Sequence, residues 1–252
     1  FLQKDNETIK ECAFYGCSSL KGQIPSSVTT VNEKGFYGCK SLDGSIPTSI
    51  ANIEEYAFYD CSGLTGPVTV SSSVENYAFY NCKGLTSLIL DNPLTKVGDY
   101  AFYGCSGLQG DLDVSSLNSV GRYAFAGCSG LTGSLTFGKT SPPAFQKVDD
   151  YAFQGCSGFS NLLSFDINGQ GNALIGRNAF EGCTGFKNGI LSFIITSGEK
   201  DDVGSGVRIA PYYRYDYFLK IGNNAFEDTK FKNIYYLGRF EPDCDYDIGI
   251  SK

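Results

Sequence analysis

The residues of this chain best placed to do chemistry are three pairs of carboxylates. Asp111-Leu-Asp113 puts two acids on one face of a strand, and Asp149-Asp150 and Asp201-Asp202 are adjacent. Paired carboxylates can cleave glycosidic bonds or hold calcium. Here each pair stands alone, so a solvated surface is the better reading. The chain has no histidine, which removes the usual Ser-His and Cys-His nucleophile systems. Gly169-Gln-Gly171 and Gly204-Ser-Gly206 lack the helix and lysine of a phosphate cradle and read as loops. No catalytic residue, metal ligand or cofactor is expected.

Sulfur is the other candidate. Eight of the ten cysteines close one recurring phrase. It runs Ala13-Phe14-Tyr15-Gly16-Cys17, then Gly35-Phe36-Tyr37-Gly38-Cys39, and returns up to Ala179 to Cys183. A ninth copy, Ala225-Phe226-Glu227-Asp228-Thr229, ends in Thr. The steps between the closing positions are 22, 22, 21, 23, 23, 28, 27 and 46 residues. Such a period marks a solenoid, which presents a long surface for binding. In register the thiols form a line rather than a tetrahedron, which argues against zinc. Neighbouring Cβ atoms lie too far apart for unstrained disulfides. The expectation is therefore a ladder of small buried thiols, and Thr229 suits it. The unchanging phenylalanine, from Phe14 to Phe226, is expected to form a parallel core ladder. The tyrosine ahead of Ala (Tyr56, Tyr77, Tyr100, Tyr123, Tyr151) reads as a half-buried wall with wet hydroxyls or as a binding row, the wall being the better reading.

After each Cys comes a Leu and a short apolar alternation, as in Leu64-Thr-Gly-Pro-Val68-Thr-Val70 and Leu131-Thr-Gly-Ser-Leu135-Thr-Phe137. Alternation of this kind predicts a strand. Strands beginning near Leu20, Leu42, Leu64, Leu85, Leu108, Leu131, Phe159, Phe186 and Phe231 should form one parallel sheet. Gln23, Ser45, Pro67, Asp111, Asp113, Ser134 and Thr136 should then point outward as a shallow polar face.

These motifs, Leu-Thr-Gly-x-Leu-x-Phe/Val, Ser-Val and Tyr-Ala-Phe-x-Gly-Cys, resemble the BspA-like, treponemal-type leucine-rich repeats. The likeness runs from about Ile9 to Leu237. It departs from the pattern at 138–146, at 168–173 and above all at 197–219. The resemblance implies a secreted or surface protein engaged in adhesion and protein binding, and it carries no catalytic residues.

The segment 197–219 roughly doubles its repeat. It holds Tyr212-Tyr213-Arg214-Tyr215-Asp216-Tyr217-Phe218. A degenerate tenth coil would put an Ala-Phe phrase ahead of Gly206. Asp202-Val-Gly-Ser-Gly206 stands there instead, so an aromatic insertion is the preferred reading. Tyr212, Tyr213, Arg214, Tyr215 and Tyr217 have the composition of a binding surface. The alternative is a loop that covers the flank.

Cys12 and Cys244 lie outside the ladder, near opposite ends of a stack about 40 Å long at ~4.8 Å per coil. They are too far apart to pair within one molecule. They are unpaired, or Cys12 bonds Cys17, or head-to-tail stacking joins Cys12 to Cys244 between molecules. Asn6-Glu7-Thr8 is the sole N-glycosylation sequon.

Formal net charge is −7, against a nucleic-acid partner. No apolar run approaches the length of a membrane span. The chain has no Met, so Phe1 is expected to follow processing or trimming, and no signal peptide is visible.

The expected organisation is an N-terminal flank at 1–8 and one right-handed leucine-rich-repeat solenoid of about nine repeats at 9–237. An acidic tail follows at 238–252. The parallel sheet is placed on the concave side, with short helical or irregular returns on the convex side. The expected function is nonenzymatic, extracellular or cell-surface adhesion to a protein partner. The alternative is a structural subunit that binds itself head-to-tail in a filament.

Overall fold

In the computed structural model the described residues are 7–91, 96–138, 145–167, 173–187, 189–194 and 219–237. Among them every strand pairing is parallel. The only helix among the described residues is the 3-10 turn Thr184–Phe186. This is the leucine-rich-repeat solenoid that the repeats imply.

Each coil carries two strand positions. One follows the Leu after each Cys. Here Gly66–Val70 pairs with Leu85–Leu90, and Gly110–Asp111 with Leu131–Thr132. Leu135–Phe137, Leu162–Asp166, Ile190–Ile194 and Asn233–Leu237 form a four-stranded sheet. Inward residues alternate with outward ones, as in Gly66–Val70, where Val68 and Val70 are buried and Pro67 is exposed.

At this position the strands form three separate sheets rather than the single one expected, and the first starts later than the alternation predicts. No strand follows Leu20 or Leu42. Both runs carry a proline five residues after the Leu, Pro25 and Pro47, where the next coil has Thr69. Proline has no N–H to give to a ladder. Ile24 and Ile46 are still buried, so those two coils keep the core side of the pattern without the strand.

The second strand position leads into the Ala-Phe phrase, on the side expected to be a helical or irregular return. Thr8–Ile9, Thr30–Val31 and Asn52–Ile53 form one short sheet. Lys96–Val97, Ser119–Val120, Lys147–Val148, Ala173–Ile175 and Leu219–Ile221 form another. A two-residue strand has no period to read, which is why the sequence hides it.

The Ala-Phe phrase fastens one coil to the next. The N–H groups of Cys12, Phe14 and Gly16 donate to the carbonyls of Glu33, Gly35 and Tyr37 in the following coil, at 3.0, 2.9 and 2.7 Å. Between them, the N–H groups of Ala13, Tyr15 and Cys17 close local turns on Lys10, Cys12 and Phe14. The same alternation ends with Asn178, Phe180 and Gly182 donating to Asn223, Ala225 and Glu227. Thus every backbone group of the phrase has a defined task, half along the stack and half within the coil.

This zigzag needs left-handed backbone at its first residue. Cys12, Lys34, Tyr56, Tyr77, Tyr100, Tyr123, Tyr151, Asn178 and Asn224 hold that place with φ between 53° and 60°. Asn tolerates this conformation, while Tyr adopts it at some cost.

The expected phenylalanine ladder forms the core. Phe14, Phe36, Phe58, Phe79, Phe102, Phe125, Phe153, Phe180 and Phe226 stack in sequence at 5.0 to 5.7 Å, with planes within 13°. From Phe36 onward these rings are fully buried. Phe137, Phe165 and Phe193 form a shorter parallel ladder. They meet the first ladder edge to face, a favourable aromatic geometry.

Candidate functional site

The left-handed residue that turns each coil also aims its side chain out of the solenoid. From the third to the seventh coil that residue is tyrosine. Tyr56, Tyr77, Tyr100, Tyr123 and Tyr151 stack face to face at 4.7, 4.8, 4.9 and 4.6 Å. All five are half-buried.

A second column stands beside it, which sequence reasoning missed. The residue after each Phe is Tyr15, Tyr37, Tyr59, Tyr80 and Tyr103 in the first five coils. These rings stack at 4.7, 4.5, 4.5 and 4.9 Å. Neighbouring rings of the two columns lie 5.8 to 6.5 Å apart. Ten phenols thus make one continuous strip over seven coils. The signal was Tyr at every period, but only the turn geometry shows that the two positions are adjacent. Beyond the fifth coil the second column becomes Ala126, Gln154, Glu181 and Glu227, and Gln154 donates to Glu181 at 2.8 Å.

Stacking decides what this strip can offer. Inner ring faces are covered by neighbouring rings. At the ends of the first column, Lys34 sits over Tyr56 at 5.3 Å and Arg177 over Tyr151 at 5.4 Å, both as cation–π contacts. The inner faces and both ends of the first column are therefore closed, while the second column ends on Tyr103 and on Tyr15, which is 55% exposed. What faces solvent is a double row of ring edges and hydroxyls. Between its ends such a strip offers no stacking platform for sugars or bases. It suits hydrogen bonding and edge contacts with another polypeptide.

Burial holds five of the ten phenols protonated. Burial, with help from Tyr80, Tyr37 and Asp60, pushes Tyr59 up to about 12. Tyr56, Tyr77, Tyr80 and Tyr123 are also raised, chiefly by burial. Glu55 adds to the rise at Tyr56, and Asp99 at Tyr77, while Lys34 opposes it at Tyr56 and Arg122 and Arg177 oppose it at Tyr123.

The thiols behave as a ladder, with one addition. Cys39, Cys61, Cys82, Cys105, Cys128, Cys156 and Cys183 are buried and free. Each donates its S–H to the carbonyl of the Phe one coil earlier, at 3.0 to 3.1 Å. They are therefore hydrogen-bonding rungs as well as small fillers. Burial raises Cys105 to about 12, so these thiols are poor nucleophiles. Thr229 instead donates to Phe226 of its own coil at 2.6 Å.

The other sequence candidates stand apart from the strip. Asp111, Asp113 and Ser134 are exposed and Thr136 is half-buried, on the outward side of their coils. Asp111 accepts a hydrogen bond from Thr132 at 3.1 Å. Asp113 accepts one from the Ser115 N–H at 2.9 Å. Gln23, Ser45 and Pro67 line an open groove with Ile24, Ile46 and Thr69. Cys12 and Cys17 are exposed, free thiols on the first coil. Tyr212, Tyr213, Arg214, Tyr215, Tyr217, Cys244 and Asn6 lie outside the described residues. Among the described residues, no three His, Cys, Asp or Glu side chains gather as a metal site. None of their helices is long and apolar enough to cross a membrane.

The model of the BspA type leucine rich repeat region matches six copies over residues 1–109 and 72–200. No curated protein matches the chain. One similar solved structure is a leucine rich cell surface protein from Faecalibacterium prausnitzii, 16% identical, with a TM-score of 0.43. It aligns over 92% of this chain and 83% of that one. Another is a leucine-rich repeat protein from Bacteroides ovatus, 18% identical, with a TM-score of 0.41 over 87% of this chain and 70% of that one. Both are distant, and the family assignment rests on the matched repeats.

Proposed function

Given that the chain belongs to the BspA-type leucine-rich repeat family, we propose that it is a nonenzymatic extracellular adhesion module that binds protein through the two tyrosine columns. The observation that carries this reading is the closed faces of the stacked rings. A strip of edges and hydroxyls, with no ring face open between its ends, fits a polypeptide partner. Tyrosine also supplies rigid contact area at low entropic cost and is enriched where proteins bind. The outward positions Asp111, Asp113, Ser134 and Thr136 and the segment Tyr212 to Tyr217 are proposed as secondary contacts.

Photo-crosslinking tests this. A photoreactive phenylalanine analogue is placed at position 80 in the strip, at 134 on the outward face, or at 213. Each variant is exposed to purified matrix and cell-surface proteins. The expected result is a saturable crosslink from position 80 that excess unlabelled chain competes away. Crosslinks that are weak, uncompeted and alike from all three positions would overturn the reading.

A head-to-tail filament is the second reading, and the direction of the coil-to-coil hydrogen bonds favours it. Each coil donates to the next, so the Glu11, Ala13 and Tyr15 carbonyls occupy the accepting positions of the first coil. Asn224, Phe226 and Asp228 occupy the donating positions of the last described coil. Head-to-tail contact would pair them, and the joint would not close. A Cys12–Cys244 disulfide would lock it in an oxidising setting. Against this, Thr229 already fills the lone pair on Phe226 that a following Cys would use. Non-reducing electrophoresis separates the two readings: the filament requires a ladder of multimers that collapses on reduction.

A further inference from the structure

We propose that the tyrosine strip receives a proline-rich segment in the polyproline II conformation, with basic residues among its prolines. This rests on the protein-binding reading above and specifies the partner's chemistry.

The argument starts from the period. Tyr37, Tyr59 and Tyr80 follow one another at 4.5 Å per step, so two coils advance about 9 Å, close to the ~9.3 Å of one polyproline II turn. An α-helix repeats every ~5.4 Å and a strand every ~6.6 Å along its length. A strand therefore returns into step with the phenols only at about every third coil and a helix at about every sixth, where a polyproline II chain does so at every second. A polyproline II chain presents the same side every three residues, and its backbone carbonyls have no internal partner. Every second coil would therefore offer a hydroxyl donor to an equivalent carbonyl. Raised phenol pKa values keep those donors protonated.

Size decides between a segment and a second copy of the chain. A stack of strands also has a period near 4.8 Å, so a second solenoid would match the strip in step. From Tyr15 to Tyr151 the strip is about 28 Å long and about 12 Å wide, roughly 350 Å², well short of the ~800 Å² per partner of a stable interface. That length accommodates about nine polyproline II residues at ~3.1 Å each. The charge of the occupant follows from the flanks. Glu55 and Asp99 border the phenols, and both act on them electrostatically. The cations Lys34, Lys40 and Arg122 are paired with Glu33, Asp60 and Asp150, and Arg177 shares Asp150 at 4.0 Å, so the acidic stretch is the one beside Tyr56 to Tyr100 and the Tyr123–Tyr151 end is basic.

The test is calorimetric titration of the folded chain with a peptide about nine residues long, proline-rich with interspersed arginines. The control peptide has the same arginines with Gly and Ser in place of Pro. The expected result is saturable binding to the proline peptide, at least about tenfold tighter than to the control. Tyr59→Phe combined with Tyr80→Phe keeps the stacks and removes two donors, and should weaken binding by about tenfold. Tyr235→Phe, exposed but away from the strip, should leave it unchanged. Equal affinity for both peptides, or no saturation, overturns the proposal. So does binding indifferent to the Tyr59 and Tyr80 changes, or dimerisation of the chain that depends on them. A competed crosslink from position 80 to a partner without a proline-rich segment would sink this proposal and leave the broader reading intact. Failure of both the crosslink and the peptide titration would overturn the two together.

Discussion

The thiol of Cys105 donates to the carbonyl of Phe79, one coil earlier, at 3.0 Å. That carbonyl also accepts the backbone N–H of Cys82 at 3.2 Å. Both of its lone pairs are thus used, one within the coil and one along the stack. Repeated from Cys39 to Cys183, the contact explains why sulfur recurs at a position where any small residue would pack.

Cys105→Ala should therefore cost more than a small change in volume. The lost thiol contact and the small void together predict a loss of about 1–2 kcal/mol. Urea unfolding measures it. A change within ~0.3 kcal/mol would show that the sulfur is only filler.

Alkaline pH should destabilise the fold. Buried Cys39 and Cys105 are raised to about 11 and 12, while an unfolded thiol titrates near ~8.5. Between those values the unfolded chain has released the proton and the folded chain keeps it. Stability is thus full below about pH 8.5 and falls as pH rises toward 11 and 12. Tyr59, raised to about 12, acts in the same sense above ~10. Thermal unfolding across pH 7.5–11 under reducing conditions should show a falling midpoint. A flat profile would contradict the buried ladder.

Phe102 is fully buried between Phe79 at 5.0 Å and Phe125 at 5.4 Å. Phe102→Ala should cost about 3–5 kcal/mol by chemical denaturation. A loss below ~1 kcal/mol would exclude the ring from the core.

Gly107 lies where one coil closely approaches the backbone of another. A Cβ there would lie 2.1 Å from the carbonyl oxygen of Lys83. Backbone cannot yield as a side chain does, so Gly107→Ala should cost at least about 3 kcal/mol. An unaffected midpoint would mean that the coils are not so closely packed.

The solenoid, the phenylalanine ladder and the thiol ladder were legible because each repeats one residue type at a fixed period. The inward alternation of Val68 and Val70 around Thr69 was equally plain. The missing strands after Leu20 and Leu42 turned on Pro25 and Pro47, a backbone effect inside an apolar pattern that looks uninterrupted. Two-residue strands such as Thr30–Val31 carry no alternation at all. The column from Tyr15 to Tyr103 escaped for a different reason. Its partnership with Tyr56 to Tyr151 depends on the left-handed residue opening each phrase, and φ is not written in composition.

Protein binding by the tyrosine strip is the central claim. Its most direct test is the affinity of the crosslinked partner for the wild-type chain and for a variant carrying Tyr59→Phe, Tyr80→Phe and Tyr100→Phe. Ring stacks survive these changes, so circular dichroism and melting should be unaltered. Removing three hydroxyl donors should weaken binding by at least about tenfold. Equal affinity in a variant that folds normally would contradict the account.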